Sequence, residues 1–143
     1  MERWDEDAEQ TKRPADRWRA PVSDAKAPLR RHVLLLDLQD DPEAIAAYRH
    51  WHRPGGPPAA VSRAIRAEGI AALEIWQVAD RLVMMMETTP DFDPARKAER
   101  DSADPEIQAW ETLMDRFQRR LPFAAEGQKW VEAERIYTLD DQP

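Results

Sequence analysis

Two alternating runs joined by a short turn constrain the fold of this chain most strongly. Within residues 70–78, Glu74 and Trp76 alternate with apolar side chains and therefore share one face of a strand. A second apolar run, 82–87, follows after only residues 79–81. Because a parallel strand needs a crossover of a dozen or more residues, this connection predicts an antiparallel hairpin.

Two Asp-Pro-Glu triplets, Asp41–Glu43 and Asp104–Glu106, mark the starts of helices. An aspartate can cap the free amides of the first turn, and proline at the first helical position lacks only an N–H that would have no partner there. The first triplet predicts a helix that ends at about His52. Helical spacing then predicts a second helix over 61–68, and the last helix carries an apolar stripe that extends to Leu121.

The remaining segments complete a recognisable order of elements. A short apolar run at 33–38 predicts the first strand, and 130–139 alternates as the last strand. The polar stretch 88–103 is typical of a loop that contains a helical turn around 95–100. The order β, α (broken into two), β, β, α, β is the split pattern of ferredoxin-like folds. We therefore expect an α+β domain, βαββαβ, with a four-stranded antiparallel sheet and helices on one face. The uncovered face predicts a homodimer, barrel-like in form.

The first thirty residues differ in composition from the rest. Residues 1–30 carry seven Lys or Arg and seven Asp or Glu, three prolines, and few aliphatic residues larger than alanine. Such a segment buries too little apolar surface to offset the entropy of ordering it. We expect a disordered arm over 1–30 and one domain over 31–143.

Composition excludes several classes of function. The chain has no cysteine, which removes disulfide scaffolds, thiolate zinc sites and cysteine nucleophiles. A net charge of -7 argues against nucleic acid as a partner. His50 and His52 point away from each other on a helix, so we expect no metal site. The sequence holds no apolar run of membrane-spanning length and no signal-peptide core, so we expect no membrane partner and a cytoplasmic protein.

Tyr48 and His52 are the first candidates for chemistry. They are four residues apart and are therefore neighbours on one face of the first helix, at an end closed by a Pro-Gly-Gly-Pro-Pro segment. Histidine can give or take a proton near neutral pH, so the two side chains are a candidate proton-transfer pair. The alternative is an ordinary half-buried helix face.

A set of motifs points to a family. In order along the chain they are Asp40-Asp41-Pro42, Tyr48-x-x-x-His52-x-Pro54, Glu68-Gly69-Ile70, Glu74-Ile75-Trp76, Arg81-Leu82-Val83-Met84-x-Met86-Glu87, Ile107-Gln108-x-Trp110-Glu111 and Lys129-Trp130-Val131. With these motifs in this order and spacing, residues 35–140 resemble the L-rhamnose mutarotase family, which includes members assigned to L-fucose.

The resemblance implies a dimeric, ferredoxin-like enzyme without a cofactor that interconverts the α and β anomers of a 6-deoxy-hexose such as L-rhamnose or L-fucose. It implies that His52 is the acid/base group, that Tyr48 binds the sugar, and that Trp110 lines the pocket. In this chemistry His52 could donate a proton to the ring oxygen while Glu74 accepts the hydroxyl proton. Trp76 or Trp110 could stack on the apolar side of the sugar. For Glu74 the alternative is an exposed strand carboxylate, and for both tryptophans it is core packing.

The chain departs from the family pattern at three places. Residues 55–58 are Gly-Gly-Pro-Pro where family members carry a bulky residue and a tryptophan, Leu73 replaces a tyrosine, and Glu111 replaces a second tryptophan. Two other functions stay open on the same fold. One is a noncatalytic protein that binds a sugar or another small ligand, and the other is a cofactor-free oxygenase.

Overall fold

A long central strand, β1 (Arg30–Leu38), organises the sheet in the computed structural model, which describes residues 28–143. It pairs antiparallel with β3 (Arg81–Thr88), which pairs antiparallel with β2 (Ile70–Val78). The predicted hairpin is confirmed, since β2 and β3 are joined by a turn in which Ala79 has a φ of 51°. The expected disordered arm lies outside the described residues except for its last three.

The fourth position of the sheet is divided between two short strands. β4 (Gln118–Arg119) and β5 (Val131–Glu132) both pair antiparallel with the free edge of β1. The resulting order, β2-β3-β1 followed by this shared position, is ferredoxin-like and confirms the predicted fold. The prediction of a strand over 130–139 is wrong beyond Glu132. Alternating side chains can form a strand only where an edge is available, and the chain from 134 onward has no strand partner among residues 28–143.

Four α-helices complete the described domain: α1 (Pro42–Trp51), α2 (Ala59–Ala67), α3 (Pro94–Ser102) and α4 (Pro105–Asp115). Both predicted Asp caps are present. Asp41 Oδ1 accepts a hydrogen bond from the Glu43 amide at 3.2 Å, and Asp104 Oδ1 accepts one from the Glu106 amide at 2.9 Å. These caps satisfy amides that have no partner inside the helix.

The loop predicted over 88–103 is wrong for its second half, where the expected helical turn around 95–100 is a full helix, α3. It begins like the others, since Asp93 Oδ1 accepts from the Ala95 amide at 3.0 Å and proline follows. It has no buried residue and therefore no apolar stripe to reveal it. Arg96 and Arg100 instead bind the buried carboxylate of Glu68 at 3.4 and 2.5 Å. Ion pairs hold this helix against the end of α2.

Helix α4 also ends earlier than its apolar stripe. The helix stops at Asp115, and the chain continues through a turn into β4. Phe117 still packs against the core and Leu121 is buried. The spacing of these residues correctly predicts which side chains are buried, but burial continues beyond the end of the helix.

The helices pack on one face of the sheet. Leu38 and Leu82 on that face are fully buried and contact Tyr48, Trp110 and Met114 from the helices. Alternation along each strand directs the neighbouring side chains to the opposite, helix-free face. Across β1 and β3 that face is formed by side chains that are only partly buried: Val33, Leu35, Val83 and Met85.

Candidate active site

A cavity of about 370 Å³ lies between the sheet and the helices. This volume falls in the range of small-molecule sites, which are mostly apolar with a few polar groups that fix orientation. The cavity follows that pattern. Its sheet side includes Leu73, Ile75, Met84 and Met86, and its polar lining includes Tyr48, His52, Lys97, Asp101, Glu111 and Gln118.

Tyr48 and His52 meet at the C-terminal end of α1. Their ring centroids are 4.2 Å apart, as the spacing of four residues predicts. The last carbonyl groups of a helix have no amide partner within it. Here the His52 amide bonds to the Arg49 carbonyl, and His52 Nδ1 lies 2.7 Å from the Tyr48 carbonyl oxygen. The histidine side chain therefore completes the helix end and is held in one orientation.

This hydrogen bond determines the tautomer of His52. A ring nitrogen that faces a carbonyl oxygen must donate, so Nδ1 carries the proton and Nε2 holds the lone pair of the neutral ring. Burial lowers the pKa of His52 below its usual value, and the bond to the Tyr48 carbonyl only partly opposes this shift. The imidazole is therefore neutral at pH 7, with Nε2 available as a proton acceptor.

Tyr48 is suited to binding rather than to proton transfer. The residue is only 3% exposed. Burial raises the pKa of its hydroxyl to about 12, opposed by the Gln118 amide and reinforced by the negative charge of Glu111. The phenol therefore keeps its proton at neutral pH and acts as a hydrogen-bonding group.

Trp110 belongs to both the core and the cavity. Its ring lies 5.4 Å from the His52 ring and 6.3 Å from the Trp51 ring, both in edge-on arrangements. The residue is 8% exposed and also lines the cavity. The structure thus brings together three of the predicted site residues: Tyr48, His52 and Trp110.

Glu74 and Trp76 are not brought into this cavity. Ile75 lines it, and alternation along β2 directs the residues on either side of Ile75 to the helix-free face. Trp76 is 44% exposed and borders a separate depression at the edge of β2, which also reaches Tyr48 and His52. The expectation that Glu74 exchanges protons beside His52 therefore needs correction, because the sheet separates the two side chains.

Several polar residues of the cavity wall were not predicted, and Gln118 and Glu111 are two of them. Gln118 lines the cavity, and its Oε1 is buried without a hydrogen-bond partner within residues 28–143. Glu111 lines it too, with Oε2 accepting from Lys129 Nζ at 2.7 Å. The departure from the family pattern at position 111 was a usable signal, whereas nothing in the sequence marked Gln118. In the described part of the chain, no group of His, Asp or Glu residues could hold a metal ion.

Comparison with known proteins decides the family. Residues 31–139 match the model of the L-rhamnose mutarotase family. The chain belongs to this family. The L-fucose mutarotase of Xanthomonas campestris pv. campestris is 50% identical over 113 residues, which are 79% of this chain and 90% of that mutarotase. The protein is accordingly an isomerase of the mutarotase type, as the motifs predicted.

A more distant relative and a solved structure are also similar to this chain. A protein of Dictyostelium discoideum is 29% identical to this chain over 109 residues, which cover 73% of this chain and 86% of that protein. The crystal structure of an L-rhamnose mutarotase from Formosa agariphila superposes with a TM-score of 0.52 at 11% identity, covering 77% of this chain and 98% of that one. That match supports the ferredoxin-like fold. No helix within residues 28–143 is long and apolar enough to cross a membrane.

Proposed function

We propose that the protein interconverts the α and β anomers of a 6-deoxy-hexose, with L-fucose the first candidate and L-rhamnose the second, and that His52 moves the proton. The observation that carries this proposal is the fixed tautomer of His52 in the wall of an apolar cavity. With Nδ1 bound to the Tyr48 carbonyl, Nε2 is the ring nitrogen left for a ligand. The high identity to an L-fucose mutarotase supports the choice of sugar.

The proposed reaction begins with His52 as a base. Nε2 takes the proton from the anomeric hydroxyl, the C1–O5 bond breaks as C1=O forms, and the ring oxygen takes up a proton to become a hydroxyl. In the closed sugar O1 and O5 are both bonded to C1 and therefore lie close together. The protonated imidazole of His52 can thus give to O5 the proton that it took from O1. Rotation about C1–C2 and the reverse steps give the other anomer. Sequence reasoning had assigned His52 the donor role, and the tautomer adds the accepting step before it.

The cavity offers separate surfaces to the two sides of such a sugar. Leu73, Met84 and Met86 form an apolar wall suited to the C5 methyl group. The face of Trp110 can stack on the C–H groups of the ring. The Tyr48 hydroxyl, kept protonated by its environment, can hydrogen-bond a sugar oxygen. In this proposal the roles predicted for Tyr48 and Trp110 are retained, and no role remains for Glu74.

We also propose that the working unit is a homodimer, present in the cytoplasm as its composition suggests. The helix-free face of the sheet and the exposed side chains of Ile136, Tyr137 and Leu139 leave apolar surface in water. A second copy of the chain would cover it. Light scattering at micromolar concentration should give the mass of a dimer, and a monomer there would remove this part of the proposal.

Saturation-transfer NMR between the α and β anomer signals tests the proposed activity directly. L-Fucose and L-rhamnose should exchange faster with the protein than without it, and L-galactose, which differs from L-fucose only by a hydroxymethyl group in place of the C5 methyl, should respond less. Ligand line broadening without faster exchange would show binding alone and would favour the noncatalytic sugar-binding alternative.

A further inference from the structure

We propose that Gln118 and Glu111 recognise the hydroxyl pattern of the sugar and so determine which 6-deoxy-hexose the cavity accepts. The inference rests on the proposed function and assigns these two residues to specificity, separate from the proton transfer at His52.

Gln118 carries an acceptor that the protein itself leaves unused. Its backbone is held in β4, paired with Leu38, and its carbonyl oxygen accepts from Gln39 Nε2 at 2.9 Å. Its side chain reaches the cavity, where Oε1 is buried and has no partner in the part of the chain that is described. Buried polar atoms in proteins are rarely left without a hydrogen bond. A sugar hydroxyl in the cavity would supply the missing donor.

Glu111 offers a second acceptor in the same cavity. Lys129 Nζ binds Glu111 Oε2 at 2.7 Å and Asp115 Oδ1 at 2.7 Å, and the lysine side chain is mostly buried. This arrangement anchors one carboxylate oxygen of Glu111, and in this proposal the other, Oε1, accepts a hydrogen bond from the ligand. Carboxylates are strong acceptors for hydroxyl donors. A tryptophan at this position, the family pattern that the chain departs from, would offer only a donor.

The two residues act on a common partner. Tyr48, Glu111 and Gln118 line the same cavity, and the Gln118 side chain is hydrogen-bonded to the Tyr48 hydroxyl. The apolar side chains of Met84 and Met86 form another part of the wall. A 6-deoxy sugar therefore meets hydroxyl-binding groups on one side and a methyl-binding surface on another. Its affinity should depend both on its orientation and on the configuration of its hydroxyl groups.

Contacts with hydroxyl groups that do not react stabilise the ground state and the transition state alike. Their loss should therefore raise KM and leave kcat nearly unchanged. It should also reduce discrimination between sugars that differ at a single hydroxyl. L-Fucose and 6-deoxy-L-glucose, which differ only at C4, are suitable probes, and their kcat/KM values should converge in the variants.

Two variants and one matched control test the proposal. Gln118→Met keeps the length of the side chain and removes the acceptor, and Glu111→Gln removes the charge. Glu106→Gln makes the same change at an exposed position of the same helix. We expect KM for L-fucose to rise roughly tenfold in each of the first two, which corresponds to about 1.4 kcal/mol, and not in the control. The Tm of Gln118→Met should stay close to that of the wild type, because the variant loses the hydrogen bond to Tyr48 but no longer buries an unpaired acceptor.

The outcomes separate this proposal from the proposed function. Sugar affinity is measured in parallel by quenching of tryptophan fluorescence, so the test does not depend on turnover. A wild type that binds L-fucose without exchanging its anomers would refute the mutarotase mechanism, and the loss of affinity in the variants would still support specificity. Unchanged KM and affinity in both variants, or a fall in kcat at constant KM, would overturn the assignment. A wild type that binds no sugar would overturn both.

Discussion

Trp110→Ala is the substitution that most clearly separates packing from ligand contact. The ring is largely buried, and it contacts the rings of His52 and Trp51. Removing a buried tryptophan typically costs about 3–5 kcal/mol. Since one side of this ring already faces a cavity, fewer contacts are lost, and we expect the lower end, about 3 kcal/mol. In a domain of this size about 1 kcal/mol shifts the Tm by roughly 4 °C, so the expected fall is near 12 °C.

Trp110→Phe provides the matched comparison. It keeps an aromatic ring beside His52 and should recover most of the lost stability, while sugar affinity recovers only in part because the stacking surface is smaller. Calorimetry gives the Tm, and fluorescence titration through the remaining tryptophans gives the affinity for L-fucose. A Trp110→Ala protein with wild-type Tm and wild-type affinity would refute both roles assigned to this residue.

Three further substitutions have defined outcomes. The Arg81 and Arg119 guanidiniums lower the pKa of the buried Asp37 below 3.8. The ionised carboxylate therefore stabilises the fold above pH 3.8, and this stabilisation is lost as the pH falls through the lowered pKa. Asp37→Asn should thus be less stable than the wild type to urea at pH 7, with the gap narrowing as the pH falls below 3.8; a gap that stays constant would contradict this. Tyr48→Phe should weaken sugar affinity, measured by titration, by about 1 kcal/mol without loss of fold. An unchanged Kd would contradict the proposed hydrogen bond between the Tyr48 hydroxyl and the sugar. Glu74→Gln should leave the anomer exchange rate unchanged, and a loss of a hundredfold or more would restore Glu74 to the mechanism.

Local signals explain what could be predicted from the sequence. The β2–β3 hairpin follows from alternation and a short turn, and the starts of α1 and α4 follow from Asp41 and Asp104, whose carboxylates cap amides two residues away. The meeting of Tyr48 and His52 is also local, since it depends only on a spacing of four residues. Each of these features is determined within one short stretch of sequence, the longest being 70–88.

The errors arise where distant parts of the chain decide the outcome. Helix α3 has no apolar stripe, and it is held by arginines that bind Glu68, a partner about thirty residues away. The alternation of 130–139 gives a strand only at Val131 and Glu132, because only there does the chain meet the edge of β1. Glu74 was matched with His52 by chemistry, although its neighbour Ile75 is the side chain that faces the cavity.

The role of His52 is the central claim, and one comparison tests it most directly. His52→Asn keeps a polar side chain but removes the ring nitrogen that exchanges protons, whereas His50→Asn makes the same change at an exposed position of α1 outside the cavity. Anomer exchange of a sugar that the wild type turns over should fall roughly 10²–10⁴-fold in the first variant and stay at the wild-type rate in the second. Wild-type activity should decline as the pH falls through the lowered pKa of His52, because protonation removes the base. Equal exchange rates for His52→Asn and the wild type, measured on that same sugar, would contradict the account.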